Sequence, residues 1–598
     1  MNPFLLISFF NKNHTTNVTD PKIAAGSDVI TEISTDSNLV CNYQEYAISN
    51  DLNLDFEFFT IDYWILSTLS DCYLLVMILL GILLLGFFNL KSYNEFDYKR
   101  RYLLTYIQRF TRYTFLGVIY ISFFQMYLFF VQPQEVILYS TRSFFDYVIT
   151  DFYTLTFKII IMLTFLMILD TSKLKFIRNK FNTTVLFLEV PVVYSFAALF
   201  TLTLISSYNL IAVLISIAGL SMTLYVLMFL TAYNRTIVEA GSKYFYLSSL
   251  STGLLGIGIF FCYFLFLSTN FMEIAWTSHS WAINGNLEKN KILITFMLYL
   301  LIFGFLFKLA AFPCHLWIAE VYEGSQNPIL TIFVLPVKIA TFAIFIRLLG
   351  HTFQELYIYW AHILWFSSMF SMLWGSFAAL FEKRIKRFMA YASISQMGFL
   401  LMGLTAGTFE GFRSSILYFL IYIITNFCFF VIFNSTIPNK DCNPKTILNR
   451  EGLKYLTDLG PFAKRNPVYA CGLVIVLFSM AGIPPIGGFF GKYFVFLHCF
   501  ETGYIDLVIA GMLSSVISAF YYLRIIKIMW FEEPRSDRVR LRLATFIVLM
   551  PSYLKKLLGI FLFILVFFIF ILPIFLEFTN WLTLVGIHPL NTYIIWEK

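Results

Sequence analysis

Charge is scarce in this sequence. Only 13% of its 598 residues are Asp, Glu, Lys or Arg, against about 25% in an ordinary soluble protein, and that shortage excludes a soluble multidomain chain. Paired cysteines are also missing. The eight Cys (41, 72, 262, 314, 428, 442, 471 and 499) never form a C-x-x-C pair and most sit in apolar runs, so no disulfide framework, zinc site or iron–sulfur cluster is expected. There is no Gly-rich strand-to-helix fingerprint and no P-loop, which argues against dinucleotide and ATP sites. The opening MNPFLLISFF is too short to span a bilayer and lacks a basic flank, so no cleavable signal is expected.

What is abundant is apolar surface: 59% of the residues are hydrophobic and 71 are Phe. Apolar runs of about 20 residues, the length that spans a bilayer, recur along most of the chain. The excess of Phe, Tyr and Ile over Ala fits an A+T-rich, organellar coding source. The fold class expected is an all-α polytopic membrane protein. After a polar extension over 1–62, with N-x-T sequons at Asn13 and Asn17, fourteen spans can be drawn. They cover 63–90, 111–131, 147–169, 184–206, 208–232, 246–267, 291–312, 329–350, 358–381, 388–408, 415–437, 468–500, 505–530 and 557–577. Lys and Arg concentrate in the odd-numbered loops between them, an alternation that a miscounted span would scramble. The positive-inside rule then puts odd loops on the matrix or cytoplasmic side and both termini on the other.

Three lysines stand out in these runs. Lys308 and Lys338 lie near the middle of apolar stretches, and Lys492 follows the Pro484-Pro485-Ile-Gly-Gly488 interruption. Pro313 should likewise break the seventh span beside Lys308. An ammonium at bilayer depth costs roughly 2.5–3.5 kcal/mol on insertion scales, so these residues are either static cross-links to acids or functional groups. Burial disfavours a charged amine, and such a group can load and release a proton when its surroundings change. The polar turn HLWIAEVYEG adds His315, Glu320 and Glu323, as a proton uptake point or as a plain interfacial turn anchored by Trp317 and Tyr322. Lys158 and Glu189 lie close enough to span ends to reach the interface. His362 and His498 read as core or interfacial histidines, residues 382–387 as a solvated basic loop, and 538–556 as an amphipathic segment lying on the basic face.

Spans four to eight and nine to thirteen form two groups of five, each with a proline-broken fourth helix carrying a lysine. Five is odd, so the second group enters the membrane inverted, the plan of ion-handling transporters. The domains drawn on this basis are 1–62, a polar extension; 63–183, helices 1–3; 184–357, the first repeat; 358–530, the second; and 531–598, the amphipathic loop, helix 14 and tail.

The stretches FKLAAFPCHLWIAEVYEGSQNPI, LPVKIATFAIFIRLL, IKRFMAYASISQMGFLLMGL and SMAGIPPIGGFFGKYFVF, in this order between residues 300 and 500, resemble the antiporter-like membrane subunits of respiratory complex I. The YEG turn and K-I-A run resemble the NADH dehydrogenase subunit 2 branch in particular. The resemblance implies proton translocation driven by NADH-to-quinone electron transfer elsewhere in the complex. Lys308 would take the proton-loading role, Lys338 that of central relay and Lys492 the exit side. NADH, FMN, iron–sulfur clusters and ubiquinone would belong to partner subunits. The location implied is the mitochondrial inner membrane, among other membrane-arm subunits and lipid, with both termini on the intermembrane-space side and no nucleic-acid partner.

The sequence departs from the family in one place that matters. The glutamate expected in the fifth helix, shortly before Leu224-Tyr-Val-Leu227, is Ala218. Glu189 is the nearest candidate to replace it. Gln396 stands where relatives often have histidine, and Ala319 and Glu320 replace a proline and an aspartate. Two alternatives therefore stay open: a subunit of a multisubunit cation/proton antiporter, and a structural arm subunit that has lost pumping.

Overall fold

In a bilayer every backbone N–H and C=O must be satisfied within the protein, which makes long apolar runs helical. A computed structural model describes residues 68–83, 97–131, 141–143, 146–178, 186–232, 234–438, 453–460, 462–532, 546–548 and 550–587. The expected extension over 1–62, with Asn13 and Asn17, lies outside the described residues, as do both termini.

The chain begins with α1 (Thr68–Leu83), α2 (Asp97–Val131), a hairpin of β1 (Thr141–Ser143) and β2 (Val148–Thr150), and α3 (Phe152–Arg178). Then come α4 (Leu186–Ser206), α5 (Leu210–Leu230), α6 (Arg235–Phe266), α7 (Phe271–Ile283), the single turn α8 (Asn286–Lys289) and α9 (Lys291–Leu309). The centre of the chain holds α10 (Leu316–Gly324), α11 (Asn327–Val334), α12 (Pro336–Arg347), α13 (Tyr357–Phe381), α14 (Ile385–Thr405) and α15 (Phe409–Ser435). After β3 (Thr436–Pro438) follow α16 (Phe462–Arg465), α17 (Pro467–Ala481), α18 (Gly487–Glu501), α19 (Ile505–Trp530), β4 (Phe546–Val548), α20 (Ser552–Val566) and α21 (Phe568–Ile587). Among the described residues, 11 helical stretches are long and apolar enough to cross a membrane, and Thr68–Leu83 and Pro467–Ala481 are shorter apolar helices.

Burial separates centre from periphery. The apolar stretch over α11 and α12 is 100% buried and those of α14 and α15 are 94% buried, whereas α6 is 39% and α21 22% buried. The outer helices turn Tyr246, Phe260, Phe264 and Phe570 outward, as expected of surfaces facing lipid or neighbouring subunits.

Contacts between loops sort them into two faces. On one, Val148 bridges Ser207 and Asn209 bridges Asn270. There too His279 pairs with Glu355, and the Tyr357 hydroxyl meets that of Tyr504 at 3.0 Å. On the other, Lys243 pairs with Glu320, Arg384 bridges Tyr455, and β3 pairs with β4. Even loops thus touch even loops and odd touch odd, as the charge alternation requires.

Several expectations need correction. Span six begins at Arg235, well before residue 246, because its first turns are amphipathic: Ile237, Ala240 and Tyr244 are buried while Glu239 and Lys243 stay exposed. The sixth loop contains α7, capped by Asn270, whose side chain accepts from the Met272 N–H. Span eight is not one helix but two, since Pro336 has no N–H to offer the preceding turn. Phe546–Val548, expected within an amphipathic segment, is a strand paired with Thr436–Pro438. The last span is divided at Phe567. Finally, Lys158 does not reach the interface. It is fully buried and bonds Asp71 at 2.8 and 3.0 Å, with Ser206 also on that carboxylate.

A candidate proton path through three broken helices

Each of the three lysines lies at a helix break. The α9 helix ends because Ala310 takes a left-handed conformation, φ 58°. Residues 311–315, with Pro313, then separate it from α10. Lys308 occupies the last turn of α9 and is buried. Among the described residues no group is hydrogen-bonded to its Nζ, which lies 5.8 Å from the ring centroids of Tyr244 and Phe307. The break is held by Trp317, whose indole donates to the Phe307 carbonyl at 3.2 Å and stacks on the Phe307 ring. Trp317 and Tyr322 are therefore buried structural residues rather than headgroup anchors.

Lys338 sits in the first turn of α12, directly after the break at Leu335 and Pro336. It is 1% exposed, and none of the described residues hydrogen-bonds its Nζ. Lys492 is different. The α17 helix stops at Gly482, φ 84°, leaving its last carbonyls without helical donors. The Lys492 Nζ donates to Met480 O at 3.1 Å and Ala481 O at 3.0 Å, and lies 4.7 Å from the Phe399 ring. A cation at a helix C-terminus is electrostatically favoured.

The helices between the outer breaks carry several buried polar groups. α14 packs against α10 at one end of this region and α15, α18 and α19 at the other. Ser393 and Gln396 come from α14, Tyr418 and Tyr422 from α15, Tyr322 from α10, and Tyr521 and Tyr522 from α19, and all are buried. Buried polar groups in folded proteins find partners among themselves or in ordered water, so this region is chemically suited to a hydrated file. The tyrosines carry no signal in the sequence, because a Tyr in an apolar run is usually core.

The other named residues fall out as follows. Glu320 pairs with Lys243 at 2.5 Å, Glu323 pairs with Arg384 and Arg387, and Lys386 Nζ donates to Ser325 O at 2.6 Å. The basic loop 382–387 is thus a clamp on α10 as well as a solvated segment. His315 is buried, stacked on Phe312 and edge-on to Trp374. His362 is exposed, and His498 bonds Glu501 at 3.0 Å. Ala218 lies in α5 with its carbonyl bonded by Ser221. Glu189 is half-buried in the first turn of α4, and among the described residues no ion pair joins it or any other acid to Lys308. Besides the Asp71 partner of Lys158, sequence reasoning misses the buried ion pair of Arg347 Nη2 with Asp151 Oδ2 at 2.7 Å, both side chains at most 1% exposed. Arg347 is visible in an apolar run, but its distant partner is not.

Known proteins resemble this chain in sequence and in fold. Residues 207–518, just over half of the chain, match the family described as NADH:quinone oxidoreductase/Mrp antiporter, TM. The chain is 39% identical over 357 residues to NADH-quinone oxidoreductase subunit N 1 of Rhizobium meliloti (strain 1021), covering 59% of this chain and 70% of that one. It is 37% identical over 356 residues to subunit N of Pelagibacter ubique (strain HTCC1062), covering 58% and 70%. In fold it is similar to a chain of respiratory complex I from Thermus thermophilus, with a TM-score of 0.63, 21% identity and coverage of 86% and 98%. It is also similar to a chain of the Mrp complex from Dietzia sp. DQ12-45-1b, with a TM-score of 0.67, 17% identity and coverage of 89% and 99%. With its lysine-bearing broken helices inside the matched region, this chain belongs to the NADH:quinone oxidoreductase/Mrp antiporter transmembrane family.

Proposed function

We propose that the chain is the subunit 2 (N-type) membrane-arm subunit of a proton-translocating NADH:quinone oxidoreductase. Protons would pass along Lys308, Lys338 and Lys492 as electrons move from NADH to quinone in partner subunits. The observation that carries this reading is the placement of three buried lysines at three helix breaks. A break frees backbone carbonyls at membrane depth, which is tolerated where the backbone is buried in protein or lines a water-filled path. NADH, FMN, the iron–sulfur clusters and ubiquinone are assigned to those partners, and other membrane-arm subunits and lipid to the outer helices. The location is the mitochondrial inner membrane, consistent with the aromatic-rich composition. Odd loops face the matrix and both termini the intermembrane space, a reading supported by the concentration of Lys and Arg in the odd loops.

Among the described residues Lys308 has no carboxylate partner, and Ala218 replaces the expected one. This favours a second reading, a membrane-arm subunit that has lost pumping. Lys308→Met and Lys338→Met in the assembled complex separate the two. A pump loses protons moved per NADH oxidised while its assembled content is kept. An unchanged ratio, or loss of assembly alone, supports the scaffold.

A further inference from the structure

The Lys492 ammonium does not have the Met480 carbonyl to itself. A carbonyl oxygen offers two lone pairs, and Met480 O receives Lys492 Nζ at 3.1 Å and Gln396 Nε2 at 3.2 Å. Gln396 is in turn held by Tyr418, whose hydroxyl donates to Gln396 Oε1. All three side chains are buried. The Phe399 ring completes the arrangement, 4.7 Å from the Lys492 amine and 6.1 Å from the Tyr418 ring centroid. The donor and acceptor ends of Gln396 are therefore assigned by its neighbours. With Tyr418 on the oxygen, the amide nitrogen must face Met480.

We propose that Gln396 and Tyr418 are positioning residues for Lys492, setting how the amine is held at the α17 terminus and how readily it exchanges its proton. The proposal rests on the reading of Lys492 as a relay group. An ammonium has three N–H donors, and two are used on Met480 O and Ala481 O. Charge-assisted bonds of this kind are about twice as strong as neutral ones. Gln396 occupies the second lone pair of Met480 O, which tempers that oxygen's pull on Lys492 and fixes its direction. Without Tyr418 the amide oxygen loses its donor, so the hold of the amide nitrogen on Met480 O loosens, in the same direction as when Gln396 is absent. Neither residue carries the proton. Both decide the geometry from which Lys492 gives it up.

The test measures protons moved per NADH oxidised, alongside assembled content, in membrane vesicles containing the intact complex. Lys492→Met tests the underlying reading, and its failure to lower the ratio sinks both that reading and this proposal. If Lys492→Met lowers the ratio, Gln396→Leu and Tyr418→Phe are expected to lower it in the same direction at parental content. Gln396→His is expected to restore it, because a neutral imidazole has one donor for Met480 O and one acceptor for Tyr418. Parental ratios in Gln396→Leu and Tyr418→Phe would overturn the proposal while leaving Lys492 as a relay. A Gln396→His variant no better than Gln396→Leu would do the same. Tyr418→Phe removes one oxygen without changing shape, so it remains informative if the leucine variant does not assemble.

Discussion

Replacing Asp151 by Asn should damage this protein more than most substitutions, through a charge left behind. Asp151 Oδ2 lies 2.7 Å from Arg347 Nη2 and neither side chain reaches solvent. At an effective dielectric constant of about 20 that separation corresponds to roughly 6 kcal/mol of attraction, offset by several kcal/mol of desolvation for each ion. Asn keeps the shape and loses the charge, so the Arg347 guanidinium stays buried without its counter-ion. Breaking a buried pair from one side costs about 3–5 kcal/mol, or roughly two to three and a half decades in the folded population. The pair ties the start of α3 to the end of α12, where the Tyr153 hydroxyl also donates to Ala343 O at 2.8 Å. The helix carrying Lys338 would therefore lose its anchor. The assay is thermal inactivation of the purified complex together with the assembled content of this subunit. Asp151→Leu combined with Arg347→Met removes both charges and should recover most of the loss. The reasoning is refuted if Asp151→Asn is tolerated at parental stability, or if the double variant is no better than the single one.

The second broken helix makes a steric prediction. A methyl at Gly488 would sit 1.8 Å from the Ser479 carbonyl oxygen, a backbone atom that cannot rotate away. Gly488→Ala should therefore prevent the two halves from packing and abolish assembly, whereas Gly559→Ala, which meets none of the described residues within 4 Å, should leave assembled content unchanged. At the odd-loop face, Lys243 and Glu320 are 44% and 53% exposed, so Glu320→Gln should cost little stability, because water screens the pair. That loss should shrink further in high salt, read as a small shift in thermal inactivation.

Much is legible in the order of amino acids because the proposed function depends on charges held inside a bilayer, and such charges are conspicuous in an apolar sequence. Lys308, Lys338 and Lys492 are therefore easy to find, and Pro313 and Pro484-Pro485 identify two of the three breaks from the loss of a helix donor alone. Pro336 carries the same signal but conceals it, because apart from Lys338 its neighbours are apolar and fill a span of ordinary length. The parity of the loops follows from where Lys and Arg fall, and loop contacts such as Asn209 with Asn270 and Arg384 with Tyr455 agree with it.

By itself, then, the sequence determined that this is a helical membrane protein, how its loops divide between two faces, and that Lys308, Lys338 and Lys492 lie at depth, though not that Lys158 does. Those properties depend on hydropathy, charge and proline chemistry, which act over a few turns of chain. Partnership was decided only by the tertiary structure. Lys158 meets Asp71 across 87 positions, Arg347 meets Asp151 across 196, and Gln396 meets Met480 across 84. The electrostatic character of a buried group is set by what lies within a few ångströms in space, and nothing in local composition says which distant segment will supply it.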